Sequence, residues 1–303
     1  MYSVSAIACV FLLLILLHPV FFKHDIIIPQ EDVFSINMDS LKNTKDIQLI
    51  LVDSKIISIE ENADISYNKK EEIVVNTAGG QITAQKAEAE ESVLNTLVVP
   101  KGKRSNLTLA DGTKVWINSG STLRFPSEFK NNKREIWVEG EIYIEVEKNE
   151  SMPFAVNTPK MNVNVTGTQF NVTAYNEDII HSVVLVEGSV NVVFENKSVI
   201  LFPNQMFIMS ENNISTQNVD VMNYVSWKEG YLQMAVDETL STILTKLSRY
   251  YDIPFECAED ISNMTCHGKL VLFDDVSDVM GIIQKTIPVR YSIEDNKITV
   301  IKR

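Results

Sequence analysis

The sequence predicts a mainly β protein, with stacked antiparallel strands in a sandwich or an irregular solenoid, followed by a small α+β domain of two β-α-β units. Three observations predict this fold class: strand-like alternation through the middle of the chain, helical spacing in the last quarter, and one N-terminal apolar run. We expect four segments: a transmembrane anchor (1–24), a β segment with a linker (25–95), a main β domain (96–222) and the α+β domain (223–303).

The composition excludes several classes of partner. The 303 residues include 40 Asp and Glu against 27 Lys and Arg, for a net charge of −13. Nucleic acid is not an expected partner, because phosphate binding needs a face of Lys and Arg. The four His and three Cys lack the spacing of zinc ligands. We therefore expect no nucleic acid, no metal site and no cofactor.

The first apolar run predicts a membrane anchor. Residues 4–22 carry no formally charged side chain, and a helix of that length nearly spans the ~30 Å hydrocarbon layer. A cleaved signal peptide needs a basic segment before the run and a small-residue cleavage site after it. No Lys or Arg precedes the run, and Phe21-Phe22-Lys23 at its end is a poor cleavage site. The sequence thus favours an uncleaved single-pass helix that contacts the membrane through residues 4–22.

The middle of the chain alternates with a period of two. Residues 135–147 place Ile and Val on even positions and mostly Glu on odd ones, which predicts a long strand with one buried face and one acidic face. Gly140 interrupts the buried face and predicts a bulge or a bend. The pattern recurs in residues 162–172, 182–193 and 199–209, with Gly167 and Gly188 as further bends.

A hairpin signal occurs twice. Asp111-Gly112 separates two short alternating runs in residues 106–117, which is a strong signal for a β-hairpin turn. Residues 48–59 have the same outline of strand, turn with Asp and a small residue, and strand. Between the two copies, residues 76–92 are small, polar and weakly patterned, and we expect a loop or linker there.

The acidic strand face leaves a second function open. Glu139, Glu141 and Glu145 share one face, and paired carboxylates are the groups that glycoside hydrolysis uses. With the aromatic residues Trp137 and Tyr143, which we expect to be exposed, this face suggests a membrane-tethered glycan-binding or glycan-active β protein. A solvated sheet face explains the same pattern and is favoured. No nucleophile elbow, phosphate loop or His-x-x-x-His motif accompanies it, so we expect no enzyme and no catalytic residue. A structural envelope adaptor is a third alternative.

The last quarter predicts two β-α-β units. Asp237 is the expected N-cap of the first helix and Asp274 or Asp275 of the second. The apolar positions of the first helix are Leu240, Ile243, Leu244, Leu247 and Tyr251, and those of the second are Val279, Met280, Ile283 and Ile287. The expected strands are residues 231–235, 253–256 and 268–273, with a closing hairpin, 289–293 and 297–301, across Asp295-Asn296.

Two cysteines of this quarter leave their redox state open. Cys257 and Cys266 lie nine residues apart, at the end of one expected strand and before the next. Outside the cytoplasm they could form a disulfide, since such strand ends can approach within bonding range. Two buried thiols are the equally weighted alternative.

An ordered set of motifs covers residues 97–209 and resembles the FecR family. Its blocks are residues 99–105, 107–118, 121–126, 138–141 with 145–146, 153–156, 167–172 and 185–190. The motif positions that we expect to be structural are Asp111, Gly112, Trp116, Glu139, Gly140, Gly167, Phe170, Asn171, Glu187 and Gly188. The C-terminal units, with residues 247–253, resemble the extra domain of many members, which is similar to the small signalling domain of outer-membrane transducers and secretins.

The resemblance implies a single-pass signal transducer of the bacterial inner membrane, with the bulk of the chain in the periplasm. Its implied partners are the periplasmic signalling domain of a TonB-dependent outer-membrane receptor and an extracytoplasmic-function sigma factor. Family members bind the sigma factor through a helical cytoplasmic region before the membrane helix, and here Met1 lies three residues ahead of the apolar run. We therefore expect sensor and anchor without that region, and a sigma-factor partner only if such a region exists upstream. The expected receptor contact is the exposed edge of a C-terminal strand.

Overall fold

Two stacked β-sheets form the larger part of the computed structural model, which describes residues 44–61, 63–67, 72–77, 80–84, 94–211 and 213–303. In spatial order the first sheet contains β2 (Ile56–Ile59), β1 (Ile47–Ile50), β6 (Asn95–Val99), β9 (Ser121–Phe125), β10 (Arg134–Glu145), β11 (Phe154–Asn157), β12 (Asn162–Val165), β15 (Val190–Phe194) and β16 (Lys197–Leu201). The second contains β5 (Gly80–Ala84), β4 (Ile73–Thr77), β3 (Asp64–Tyr67), β7 (Ser105–Thr108), β8 (Lys114–Ile117), β10 again, β13 (Gln169–Ala174), β14 (His181–Glu187), β17 (Gln205–Met209) and β18 (Ile214–Asn218).

The strand β10 belongs to both sheets. Its first half pairs with β9 and β11 in the first sheet, and its second half, from Gly140 onward, pairs with β8 and β13 in the second. The chain changes sheet at Gly140, whose φ is +121°. The bend predicted at this glycine is therefore confirmed, and one strand joins the two layers.

A single hydrophobic core lies between the sheets. The inward-facing residues of β10, among them Ile136, Val138, Ile142 and Ile144, are almost completely buried there. The mainly β prediction is confirmed, and the shared core corresponds to its sandwich alternative. Among the described strands of these two sheets the pairing is antiparallel with two exceptions, since β11 runs parallel to β10 and β3 runs parallel to β7.

Both predicted hairpins are present. β7 and β8 pair across Asp111-Gly112, and β1 and β2 pair in the same way in the earlier copy. The interpretation of residues 76–92 as a loop was wrong in part, because β5 lies there and pairs with β4 at the edge of the second sheet. An edge strand needs few apolar residues, so its polar composition looked like that of a linker.

The glycine bends of the later repeats are also present. Gly167 lies between β12 and β13, and Gly188 separates β14 from β15 with a φ of +94°. The alternating run at residues 199–209 is likewise split, between β16 and β17, at Asn204 with a φ of +65°. Each predicted long strand is thus a pair of strands that turns from one sheet to the other.

The C-terminal domain has helices and two small sheets. After α1 (Met222–Val225) and a 3-10 helix (Ser226–Glu229) come β19 (Tyr231–Met234), α2 (Leu240–Tyr251), β20 (Phe255–Cys257), a 3-10 helix (Glu259–Ile261), β21 (Gly268–Val271), α3 (Val276–Thr286), β22 (Val289–Glu294) and β23 (Lys297–Lys302). β19 pairs antiparallel with β21, whereas β23 lies between β20, in parallel, and β22, in antiparallel.

One of the two predicted helix caps differs from the expectation. Asp237 is not the N-cap of α2; Thr239 is, and its side chain accepts a hydrogen bond from the Thr242 amide at 3.3 Å. Asp237 lies in the turn before the helix, where Glu238 pairs with Lys246. Asp275 caps α3 as predicted, accepting from the Ser277 amide at 2.8 Å.

The apolar faces of α2 and α3 form a second hydrophobic core with the small sheets. Seven of the nine positions that helical spacing predicted are buried: Leu240, Ile243, Leu244, Leu247, Val279, Met280 and Ile283. Tyr251 and Ile287 are only partly buried against this core, and Val276 is a buried position that the prediction did not include. The described residues all belong to one compact unit. The predicted anchor at residues 4–22 lies outside the described residues, and no helix within them has the length and apolarity to cross a membrane.

Candidate functional site

The Asp111-Gly112 hairpin is joined to a buried arginine. The Arg134 side chain is 2% exposed, and its Nη1 lies 2.8 Å from Asp111 Oδ2. Arg134 also donates to the backbone carbonyls of Glu147 at 2.8 Å and Met152 at 2.7 Å. Asp111 in addition accepts from the amide and hydroxyl of Thr113. This motif position is therefore a structural crosslink between the hairpin, β10 and the loop that follows β10.

Sequence reasoning missed Arg134, although a signal was present. Arg134 shares the even phase of Ile136 and Val138, so the alternation itself places it on the buried face. A charge in that position needs a buried partner. The acidic residue of the hairpin was available to supply it.

The odd positions of β10 form part of a contact surface for the C-terminal domain. We call this surface the docking face and define it by Trp116, Glu141, Tyr143 and Asn171, which lie on β8, β10 and β13. The Trp116 and Tyr143 rings are 5.5 Å apart, and Tyr143 belongs to the second hydrophobic core at 4% exposure. Burial, reinforced by the nearby Glu145, raises the pKa of Tyr143 well above its usual value. The predicted exposure of Tyr143 was wrong, because the C-terminal domain covers it.

The segment that begins the C-terminal domain is fixed on the docking face. Trp227 is buried, and its Nε1 donates to Asn171 Oδ1 at 3.2 Å. The Lys228 ammonium lies 5.0 Å from the Tyr143 ring centroid and 5.5 Å from that of Trp116. A cation close to two aromatic rings is a favourable arrangement. The contacts of Trp227 and Lys228 thus join the second sheet to the 3-10 helix that precedes β19.

The three carboxylates of the acidic face have different surroundings. Glu141 accepts hydrogen bonds from the side-chain amides of Asn118 at 2.7 Å and Asn171 at 3.0 Å. Glu145 is 3.4 Å from the Tyr143 hydroxyl. Glu139 lies before the bend, in the half of β10 that pairs with β9. The site therefore orients amide and aromatic side chains under the C-terminal domain, and Glu141 holds Asn171 in place for Trp227.

Three of the remaining motif positions, Phe170, Gly167 and Gly188, have packing roles, and Glu187 does not. Phe170 is fully buried in the main core, and Glu187 is the exposed last residue of β14. At Gly167, an added Cβ would lie 2.8 Å from the backbone of Lys148, so that the two chain segments are in close contact there. A Cβ at Gly188 would lie 2.9 Å from the Gly167 carbonyl oxygen. These two glycines allow successive turns of the chain to stack.

Both cysteines of the C-terminal domain are free thiols in the structure. Cys266 is buried in the second core, and Cys257 is partly buried at the end of β20. Burial raises the pKa of both thiols, with further contributions from Asp260 at Cys257 and Glu238 at Cys266. The disulfide alternative is thus not formed here and stays a prediction for oxidising conditions.

A buried histidine predicts acid sensitivity. His181 is fully buried at the start of β14, and both ring nitrogens lack a hydrogen-bond partner among the described residues. Burial, helped by the charge of Lys160 and opposed by Asp178, holds the pKa of His181 below its ordinary value. The unfolded chain therefore takes up a proton at a higher pH than the folded one, and stability falls as the pH falls through about 6.5, by at most about 1.4 kcal/mol per pH unit.

Replacing this histidine tests the effect. We expect His181→Leu to flatten the fall in the urea midpoint between pH 7.5 and pH 5.5. The same replacement of the exposed His267 is the control and should leave the profile unchanged. If the urea midpoint of His181→Leu falls with pH as much as that of the wild type, His181 is not the source of the acid sensitivity.

The chain is similar to known proteins along most of its described length. Residues 95–191 match the model of the FecR protein family, and residues 235–300 match that of the FecR C-terminal region, so that the two matches together span more than half of the chain. Two crystal structures of a candidate anti-sigma factor from Parabacteroides distasonis are similar at 29% identity. The structure at 1.65 Å has a TM-score of 0.63, with 69% of this chain and 99% of that one covered. For the structure at 2.50 Å the values are 0.64, 70% and 100%. No curated protein matches the chain.

Proposed function

Since the chain belongs to the FecR family, we propose that it is a signal transducer of the anti-sigma type, anchored in the inner membrane by residues 4–22 and exposed to the periplasm. In this proposal it relays the state of a TonB-dependent outer-membrane receptor to an extracytoplasmic-function sigma factor. The similarity to a candidate anti-sigma factor over about 70% of the chain supports the regulatory role. The relay acts through protein contacts.

The observation that carries the receptor contact is an open sheet edge in the C-terminal domain. Of the strands that the structure describes, β22 pairs only with β23. The two-residue turn Asp295-Asn296 makes Glu294 and Lys297 a hydrogen-bonded pair, so the next pair, Ile293 and Ile298, is not hydrogen-bonded. The Ile298 amide donates to Pro254 on the far side, which agrees with this register. The Ile293 amide therefore points to the open edge, where a strand of a partner could pair with it.

The side chains along this edge suit strand addition. Ile293 is 47% exposed at the edge itself, and Ile301 is 50% exposed on β23. Arg290 and Glu294 also lie on β22 and are exposed, so that the edge has charged residues on both sides of the apolar position. A backbone ladder supplies affinity in such a contact, and the exposed side chains supply selectivity.

A single substitution tests the open β22 edge without disturbing the pairing of β22 with β23. We expect Ile293→Pro to weaken binding to the signalling domain of the receptor at least about tenfold, because proline removes the outward amide while the hydrogen bonds to β23 stay intact. Ile293→Val keeps the amide and should bind within about twofold of the wild type. Binding is measured by calorimetry between the full chain in detergent and the purified periplasmic signalling domain of the receptor encoded beside it.

Two results would count against the proposal. If the wild-type chain shows no binding at high micromolar concentrations, the receptor relay is wrong. If Ile293→Pro binds as well as Ile293→Val, the receptor does not use the β22 edge. A reporter gene under the sigma factor should respond in the same order as the binding.

A further inference from the structure

A second contact joins the β domain to the C-terminal domain, away from the docking face, at the end of α2. The Arg249 guanidinium lies 3.9 Å from the Tyr175 ring centroid, and the Arg104 guanidinium lies 3.9 Å from that of Tyr250. Each domain thus supplies one arginine and one tyrosine to the other. At this distance a guanidinium over an aromatic ring is stabilising, and more so when water is partly excluded.

Both arginines are also paired with carboxylates of the β domain. Arg249 hydrogen-bonds to Asp178 and lies 3.6 Å from Glu177, both in the loop between β13 and β14. Arg249 is 15% exposed and Asp178 is 24% exposed, so solvent screens this pair less than a pair at an open surface, whereas Glu177 is 53% exposed. Arg104 Nη2 lies 3.0 Å from Glu61 Oε1, which orients it towards Tyr250.

The backbone at Gly102 contacts the C-terminal end of α2 directly. The Gly102 amide donates to the Arg249 carbonyl oxygen at 2.9 Å, which satisfies one of the last carbonyls of α2. Gly102 has a φ of +79°, and an added Cβ would lie 3.1 Å from the Cβ of Asp252, the residue after the helix. A side chain at this position would therefore strain the backbone and crowd the end of α2.

This contact differs in kind from the docking face. Trp227 and Tyr143 of the docking face contact are buried in the second hydrophobic core. The contact at the end of α2 instead depends mainly on two arginines, their carboxylates and two tyrosines. We call it the α2 latch and define it by Gly102, Arg104, Tyr175, Asp178, Arg249 and Tyr250.

We propose that the α2 latch is the two-state element that couples the C-terminal domain to the β domain. When one of the two domains binds a partner, the latch then changes the stability of the other domain. Closed, it makes the two domains a single cooperative unit; open, it leaves the C-terminal domain attached through the docking face alone. Its role in signalling rests on the proposed function, since a receptor bound at the C-terminal domain could influence the β domain through this element. The coupling itself needs no receptor.

Hydrogen exchange of the full chain in detergent tests the latch without any partner. We expect Arg249→Glu to raise the exchange rates of amides in residues 101–104 and 175–180 by about tenfold or more, the factor for a loss of about 1.4 kcal/mol. Lys285→Glu is the matched control, because Lys285 is also a basic residue in the last turn of a helix of this domain but is exposed. It should change these rates by less than about twofold.

A charge exchange and a mild variant keep the test decisive. The double variant Asp178→Arg with Arg249→Glu restores the opposite charges and should bring the rates to within about threefold of the wild type. Asp178→Asn keeps the shape of the loop and should give a smaller increase than Arg249→Glu. If Arg249→Glu exchanges like Lys285→Glu, or if the double variant exchanges as fast as its single components, the proposal is wrong. Because no receptor is present, this outcome is independent of whether the receptor binds the β22 edge.

Discussion

Gly140→Ala should prevent normal assembly of the two sheets. An alanine Cβ there would lie 2.3 Å from the Ser121 Oγ and 2.6 Å from the Ser121 Cα, and φ at this residue is +121°. Backbone strain and a collision with a main-chain atom act together, so we expect a loss of about 3 kcal/mol or more in the free energy of unfolding. Thermal unfolding followed by circular dichroism measures it.

Two variants separate the causes of this loss. Gly112→Ala places the same side chain at a φ of +90° with no atom within 4 Å, and should cost only the strain of about 1–2 kcal/mol. Ser121→Gly in the Gly140→Ala background removes the collision with the Ser121 side chain but leaves the collision with the backbone of that residue. It should recover only part of the loss. Full recovery, or equal melting of the Gly140 and Gly112 variants, would show that backbone crowding at the bend is not the cause.

Asp111→Ala should be destabilising by about 3–5 kcal/mol, because it leaves the buried Arg134 guanidinium without a carboxylate. Asp111→Asn keeps an acceptor for the Thr113 amide and should lose less stability. The difference between the two variants therefore distinguishes the loss of the hydrogen bond in the turn from the loss of the charge. Chemical unfolding of both variants gives the values.

A double-mutant cycle tests whether Asp111 and Arg134 act as a pair. Arg134→Met alone removes the donors to the carbonyls of Glu147 and Met152. The variant with both Asp111→Ala and Arg134→Met should lose clearly less than the sum of the two single losses, since it contains no unpaired charge. Strict additivity would mean that the two side chains stabilise the protein independently.

The sequence predicted those parts of the fold that local patterns determine. The alternation of β10, the Asp111-Gly112 hairpin and the faces of α2 and α3 follow from spacing alone. The strand β5 was missed because an edge strand can be polar, and the Asp237 cap was wrong because several residues before α2 can cap a helix. Local patterns do not distinguish such alternatives.

The candidate site was predictable only in part, since it depends on contacts between distant segments. Trp116, Glu141 and Asn171 were identified, but their proximity to Trp227 comes from the packing of the C-terminal domain on the second sheet. From its sequence alone, the acidic face is therefore predicted to be a solvated surface. The latch residues Arg104 and Arg249 are 145 positions apart in sequence and had no pattern that links them. Long-range pairing of charges with aromatic rings has no periodicity to detect.

The shared strand β10 has a consequence for the order in which the protein can fold. Its second half needs β13 as a neighbour, and its Tyr143 is also part of the C-terminal core. Every residue of the docking face lies before position 172, whereas the domain that covers it begins after position 218. A chain that emerges from the ribosome N-terminus first can thus complete this surface before its last quarter is made. The C-terminal domain can then fold directly against a finished template.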